Sequence, residues 1–225
     1  ISVEEAVDVA RESADIILLS RDLDVLRTGV EDGRRTFANT LKYISITTSA
    51  NFGNMLSMAL AAPLLPFLPL AAKQILLNNF LSDLPSIAIS SDNVDRDRVR
   101  RPQRWNIKEI QRFMVVFGLI SSAFDILTFA VLLLFFHADQ ATFQTFWFIV
   151  SLSTELAVLL VLRTHRSAFR SRPAPLLFWT TLAVAGATLA IPFLGPLSAM
   201  FGFVPLSGLE MATAIAIVVG YMAAT

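Results

Sequence analysis

Six long apolar segments follow one another from Tyr43 to the C-terminus. Each is close to the roughly 20 residues that a helix needs to cross a bilayer. They cover about 43–64, 70–90, 113–136, 144–162, 176–194 and 207–224. The pattern predicts an all-α membrane domain with six transmembrane helices over residues 43–225.

The first 42 residues have a different pattern, typical of a soluble segment. Apolar residues in 3–11 recur at helical spacing, and the nearly continuous apolar run 16–19 is typical of a buried strand. A second helix is expected from Asp22, with a break at Gly33. Residues 1–42 therefore form a short α/β remnant, too small to hold a core of its own.

The composition supports a membrane protein. The chain of 225 residues is 55% hydrophobic and 16% charged, whereas about a quarter of the residues in a soluble domain are charged. The formal net charge of +0 gives no reason to expect a nucleic-acid partner. The absence of cysteine excludes disulfides, zinc sites with thiolate ligands and cysteine nucleophiles.

Basic and non-basic connections alternate between the apolar segments. By the positive-inside rule the basic connections lie in the cytoplasm, so both termini are expected there, in a multi-pass protein of the cell membrane. The basic residues are Arg96, Arg98, Arg100, Arg101, Arg104, Lys108 and Arg112 in the first basic connection, and Arg163, Arg166, Arg170 and Arg172 in the second basic connection.

The second apolar segment contains the stretch NNFLSDLPS, in which a carboxylate interrupts the hydrophobic run. An ionised side chain at the bilayer centre costs at least about 2.5–3.5 kcal/mol. Asn79, Ser82 and Asp83 lie at i, i+3 and i+4, on one face of a helix. Pro85 has no N–H, so the carbonyl of Leu81 is left as a further free oxygen.

The first apolar segment carries a second polar set. Asn51 and Asn54 share a helix face, and Gly53 between them allows another helix to approach closely. If the two segments are neighbours, both sets form a pocket of oxygen ligands that suits magnesium, calcium or sodium. The alternatives are hydrogen bonds between helices for the asparagine and serine side chains, and a buried protonated or paired acid for Asp83.

Two other membrane carboxylates have no single interpretation. Asp125 is either a second membrane acid or paired near a helix end, and Glu155 either completes the cation site or bonds to a neighbouring helix. Trp105, Trp147 and Trp179 lie near the predicted membrane boundaries, where tryptophan anchors are common.

Several of these motifs resemble those of P-type cation-transporting ATPases. Residues 1–44 resemble the end of the phosphorylation domain and the stalk that leads into the fifth membrane helix of that family. SANFGN is similar to the ion-site motif of the fifth helix, and NNFLSDLPSIAI to the N-x-x-[ST]-D pattern of the sixth. DNVD, RPQRWNIKEIQRFMVVFG and SSAFDILTF are closest to the magnesium-transporting branch.

The resemblance implies a C-terminal fragment with the last six of ten membrane helices. The phosphorylated aspartate of the DKTGT motif, the nucleotide domain and the TGE loop are expected in a missing N-terminal part, so this chain is not expected to hydrolyse ATP. The implied parent imports magnesium across a bacterial inner membrane, uses ATP and catalytic magnesium, and contacts membrane lipid. The implied metal ligands are Asn51, Asn54, Asn79, Ser82 and Asp83.

Two other functions fit the apolar pattern. A secondary transporter or a channel for a cation would also have six spans, and a purely structural membrane bundle would need no oxygen-lined site. A channel has no need of the α/β segment 1–42 before its first span, and a structural bundle has no need of Asn79, Ser82 and Asp83 on one face.

Overall fold

The computed structural model describes residues 1–20, 22–100, 102–164 and 171–225. Arg101, Arg166 and Arg170 of the basic connections lie outside the described residues. The described elements are β1 (Ser2–Val3), α1 (Asp8–Glu12), β2 (Ile17–Leu18), α2 (Leu23–Ala61), α3 (Ala72–Ala88), α4 (Arg96–Arg100), α5 (Ile107–Ala130), α6 (Gln140–Leu162), α7 (Pro175–Ala190), α8 (Pro196–Phe201) and α9 (Gly208–Ala224). Helix α5 continues as a π-helical turn over Val131–Phe135.

The predicted all-α membrane class is confirmed, and a helix lies in every predicted span. Six spans are not confirmed, because only three helices of the described residues are long and apolar enough to cross a membrane. These three are Ile107–Phe135, Gln140–Leu162 and Pro175–Phe193. Helices α3 and α9 have 17 residues each, and the polar side chains of α2 and α3 lower their hydropathy.

Residues Ile1–Ala38 and Val94–Arg104 form one compact unit. Strands β1 and β2 pair in parallel, with Ser2 opposite Ile17 and Val3 opposite Leu18. The parallel pairing requires a crossover, and α1 lies in it. The prediction of a helix from Val3 was wrong, because the sheet takes Ser2 and Val3 and confines the helix to Asp8–Glu12.

The predicted break at Gly33 was also wrong, since α2 runs without interruption from Leu23 to Ala61. A single glycine costs a helix about 1 kcal/mol, which 39 continuous helical residues tolerate. Next to this glycine, the Arg34 guanidinium donates to the carbonyl oxygens of Val99 and Arg100, at 3.1 and 3.2 Å. These bonds hold the basic segment within the first unit.

Helix α6 is the centre of the second unit, which comprises Asn39–Asn93 and Trp105–Thr225. In its most apolar stretch 72% of the residues are buried, compared with 33% in α5 and in α7. It packs against α3, α5, α7 and α9. Its aromatic residues Phe143, Phe146, Trp147 and Phe148 belong to the main hydrophobic core.

Helices α2 and α5 approach each other closely at two glycines. A Cβ atom added at Gly118 would collide with Phe52 Cδ1, and one added at Gly53 would lie 2.9 Å from Ser121 Cβ. Neither position therefore has room for a larger residue. The close approach predicted at Gly53 is confirmed, and its partner is α5.

Large apolar side chains remain exposed along the outer faces of α5, α7 and α9. They include Leu119, Ile126, Leu127 and Leu134 of the α5 segment, Leu176, Trp179 and Leu182 of α7, and Ile215, Val219 and Met222 of α9. Single exposed apolar residues are common in soluble proteins, but continuous apolar faces of this extent are not.

Candidate cation site

Helix α3 has polar side chains on two faces, and Pro85 does not end it. Asn78 and Ser82 are buried, with 3% and 6% of their surface exposed. Asn79 and Asp83 are exposed. The hydroxyl of Ser82 also donates to the backbone carbonyl of Asn79, at 3.1 Å. One helix thus directs two side chains into the bundle and two away from it.

Glu155 of α6 faces the buried side of α3. The side chains of Ser82, Asn78 and Asp83 lie close enough to its carboxyl group to influence it. The oxygen Oδ1 of Asn78 is buried without a partner. Two acidic side chains, Glu155 and Asp83, therefore occur at this contact together with an amide oxygen, Asn78 Oδ1, that accepts no hydrogen bond.

Helix α2 joins the same region through Asn54. The hydroxyl of Ser151 donates to Asn54 Oδ1 at 3.1 Å, which links α6 to α2. A small cavity adjoins this bond, and Asn54, Ser121, Ser151, Thr154, Glu155 and Tyr221 are among the residues that line it. Glu155 is common to the cavity and to the contact with α3, so it connects the polar residues of both helices.

The five residues implied as metal ligands fall into two groups. Asn54 and Ser82 lie toward Glu155, whereas Asn51, Asn79 and Asp83 are exposed. No group of three or more His, Cys, Asp or Glu side chains that could hold a metal occurs in the described parts of the chain. A metal ion here would depend on the two carboxylates together with amide, hydroxyl or carbonyl oxygens, which are ligands for hard cations.

Asn78 and Ser151 were not predicted from the sequence. Each lies four residues before a predicted candidate, Asn78 before Ser82 and Ser151 before Glu155. Residues four apart share a helix face, so the same spacing rule offers a signal for both. That signal alone does not tell which of two overlapping faces is buried.

Asp125 of α5 is buried among three helices. Its carboxyl oxygens contact Ser57 Oγ of α2 at 2.6 Å and Trp147 Nε1 of α6 at 2.9 Å. The prediction that Trp147 is a boundary anchor was wrong, because it is 1% exposed and bonded to this acid. Trp105 and Trp179 are exposed.

A second buried carboxylate, Asp92, lies after α3 in a cluster of ions. Its side chain is fully buried and accepts from Lys42 Nζ at 2.9 Å and from Arg163 Nη1 at 3.4 Å. The backbone N–H of Ala174 also donates to it, at 3.1 Å. Arg163, counted from the sequence as a loop charge, is therefore a buried partner that joins the ends of α6 and α3 to α2.

The fold is that of a helical membrane domain with carboxylate, amide and hydroxyl side chains in its interior. The chain belongs to the family described as "Cation transporting ATPase, C-terminus", which matches residues 67–225.

Known proteins of this kind resemble the chain along its whole length. It is 46% identical over 230 residues to a "Magnesium-transporting ATPase, P-type 1" of Salmonella typhimurium, covering 100% of this chain and 25% of the relative. The Escherichia coli (strain K12) protein of the same name is 45% identical over 231 residues, covering 100% and 26%. A "Calcium-transporting ATPase" of Bacillus subtilis is 26% identical over 172 residues, covering 74% and 19%. The chain spans about a quarter of the length of the first two relatives.

Proposed function

We propose that the chain is the membrane part of an ATP-driven cation pump that imports magnesium into the cytoplasm. The magnesium-transporting relatives are 45–46% identical over the full chain, whereas the calcium-transporting relative is 26% identical over 74% of it. ATP, catalytic magnesium and the phosphorylated aspartate would belong to the N-terminal part of the parent protein. This chain would contribute to the path of the transported ion.

The contact of Glu155 with α3 is the observation that carries the site. Two carboxylates that interact electrostatically in a membrane interior repel each other, and a divalent cation between them removes that repulsion. Ser82 and Asn78 add neutral oxygens at the same contact, and Asn54 adds another from α2. Magnesium favours a site with few carboxylates and retains several of its water molecules.

The exposed residues Asn51, Asn79 and Asp83 would face segments of the parent protein that precede this chain. An aspartate directed into lipid costs at least about 2.5–3.5 kcal/mol, so a polar or protein environment is expected around Asp83. About three quarters of the length of the magnesium-transporting relatives lies outside the matched region, which is enough to supply that cover. The cation would then lie between this chain and the segments before it.

The same proposal assigns the remaining surfaces. The exposed apolar faces of α5, α7 and α9 would contact membrane lipid, and the alternation of basic connections would place both termini in the cytoplasm. The relatives from Salmonella and Escherichia coli favour a bacterial inner membrane. Helix α2, continuous over 39 residues, would carry movement of the missing domains to Asn54.

Cation uptake by the full-length protein in sealed vesicles tests the proposal. We expect ATP-driven accumulation of Mg²⁺, followed with a dye trapped in the lumen, and weaker or no accumulation of Ca²⁺. Glu155→Gln should lower the affinity for Mg²⁺, whereas Glu210→Gln, an identical change in the first turn of α9, should not. Equal flux with and without ATP would refute the pump and favour a channel or a secondary transporter. ATP-driven uptake of another cation alone would refute magnesium.

A further inference from the structure

The carboxyl group of Asp125 has contacts that the proposed cation site does not use. It lies on α5 and is 3% exposed. Its oxygen Oδ2 lies 2.6 Å from Ser57 Oγ of α2, and Oδ1 lies 2.9 Å from Trp147 Nε1 of α6. One acidic side chain therefore joins α2 to α6 through α5.

Counting protons at this contact indicates the protonation state of Asp125. Ser57 Oγ has two close oxygen neighbours, Asp125 Oδ2 at 2.6 Å and the carbonyl oxygen of Gly53 at 2.9 Å. A hydroxyl has only one proton, so Ser57 can donate a full hydrogen bond to only one of these two oxygens. If Ser57 donates to Gly53, a proton on Asp125 Oδ2 completes the other contact. The indole N–H of Trp147 then donates to Oδ1, and every contact is satisfied.

The surrounding charges favour the same state. Asp125 has no ion pair with any residue in the described parts of the chain. The titratable groups near Asp125 on neighbouring helices are Tyr221 of α9, which interacts electrostatically with Asp125, and Glu155 of α6, and neither of them is a cation. Lys42 of α2 is engaged by Asp92. An isolated buried carboxylate is strongly unfavourable, and such a group normally binds a proton instead.

The position of the contact relates it to the cation site. Ser57 is three residues after Asn54, and Trp147 is four residues before Ser151, so each lies one helical turn away. Asn54 and Ser151 are themselves hydrogen-bonded across the same two helices. The Asp125 contact is thus a second connection between α2 and α6, one turn from the first.

We propose that Asp125 is a neutral, protonated side chain that positions α2 against α6 and so sets the spacing of Asn54 and Glu155. This role rests on the proposed cation site. It makes Asp125 a positioning residue and not a ligand. An amide has the same shape as a protonated carboxyl, with one donor for Ser57 Oγ and one acceptor for Trp147 Nε1.

The test compares Asp125→Asn with Asp125→Ala in the full-length protein. We expect Asp125→Asn to keep the Mg²⁺ concentration for half-maximal ATP-driven uptake within about twofold of wild type, since both hydrogen bonds are retained. Asp125→Ala leaves buried polar groups without partners, and we expect that concentration to rise by about fivefold or more. Loss of uptake in Asp125→Asn would overturn the proposal, because it would show that the charge is needed. Unchanged Mg²⁺ dependence in Asp125→Ala would overturn the positioning role.

Infrared spectroscopy of the purified protein tests the protonation state without any transport. We expect a C=O stretching band of a protonated carboxyl that shifts in D₂O and is absent from Asp125→Asn. Ser57→Ala should move this band, because the proton loses its acceptor. Identical spectra of wild type and Asp125→Asn in this region would show an ionised Asp125 and overturn the proposal. A pump that fails to transport Mg²⁺ would refute the cation site but leave this spectroscopic result intact.

Discussion

The two polar faces of α3 have opposite surroundings in this chain. Asn78 and Ser82 are buried against α6 and meet Glu155, whereas Asn79 and Asp83 are exposed. The buried pair packs inside the chain, where Asn78 Oδ1 has no hydrogen-bond partner. The exposed pair has polar groups that a membrane would not tolerate unless other parts of the protein cover them. Under the proposed function, the chain would hold one part of a cation site and leave another part for its parent protein to complete.

The largest effect is expected from Asp83→Asn, on the exposed face. Removing a charged ligand should abolish ATP-driven Mg²⁺ uptake. Mutation of a residue that only supports a metal ligand lowers metal affinity by up to about 100-fold, and the loss of a ligand itself should be larger. Insertion and folding should be unchanged, since the side chain of Asp83 is exposed. Vesicle uptake by the full-length protein measures the first effect and thermal unfolding the second.

The control for this variant is Asp139→Asn, the same change at the exposed cap of α6. Normal Mg²⁺ uptake by Asp83→Asn would remove the exposed face from the cation site.

Asp92→Asn should lower the free energy of unfolding, whereas Asp83→Asn should leave it unchanged. Asp92→Asn leaves the buried charges of Lys42 and Arg163 without their carboxylate, and breaking a buried ion pair costs about 3–5 kcal/mol. Denaturant unfolding of the full-length protein measures this change, with Asp83→Asn as the control. A loss of less than about 1 kcal/mol, the range of a surface ion pair, would show that the cluster is solvated.

Neighbouring asparagines on the two faces allow a finer test. Asn78→Ala removes a buried polar side chain close to Glu155, so we expect weaker Mg²⁺ affinity together with a stability loss of about 1–3 kcal/mol. Asn79→Ala should weaken Mg²⁺ affinity with a change in stability within about 0.5 kcal/mol, as for surface substitutions. Uptake at graded Mg²⁺ concentrations and unfolding curves separate the two effects. A larger stability loss for Asn79→Ala would reverse the assignment of the faces.

The smallest effect on Mg²⁺ uptake is expected at Asp139, the N-cap of α6, outside the membrane helices. Its carboxylate accepts from the backbone N–H of Thr142 at 3.1 Å, and the hydrogen bonds of Thr142 hold the pKa of Asp139 below its ordinary value. Asp139→Ala should cost about 1 kcal/mol, as loss of a helix N-cap does.

The sign of the pH dependence follows from the lowered pKa. The stabilisation is fully present above the pKa of the unfolded state and is lost as the pH falls through the lower pKa of the folded state. Unfolding curves recorded down through the acidic range should show this loss in wild type and not in Asp139→Ala or Asp139→Asn. An equal acid dependence in all three proteins would exclude Asp139 as its source.

The sequence predicted the membrane class, a helix in each apolar segment and the close approach at Gly53, because apolar length and glycine have direct structural consequences. It could not choose the buried face of α3. Asn79 shares a face with Ser82 and Asp83 by its spacing, but Asn78 shares another with Ser82, and packing against α6 decides between them. The partners of Asp125 and Asp92 were not predictable either, since Ser57, Trp147, Lys42 and Arg163 lie 22 to 71 residues away along the chain.

An experimental structure of the full-length protein in the presence of Mg²⁺ tests the central claim most directly. The account predicts density for one cation near Asp83 and Glu155, with oxygen atoms at about 2.0–2.1 Å in octahedral arrangement and some of them from water. Segments that precede this chain should cover Asp83 and Asn79. A structure in which Asp83 contacts the acyl chains of lipid, with no cation between it and Glu155, would contradict the account.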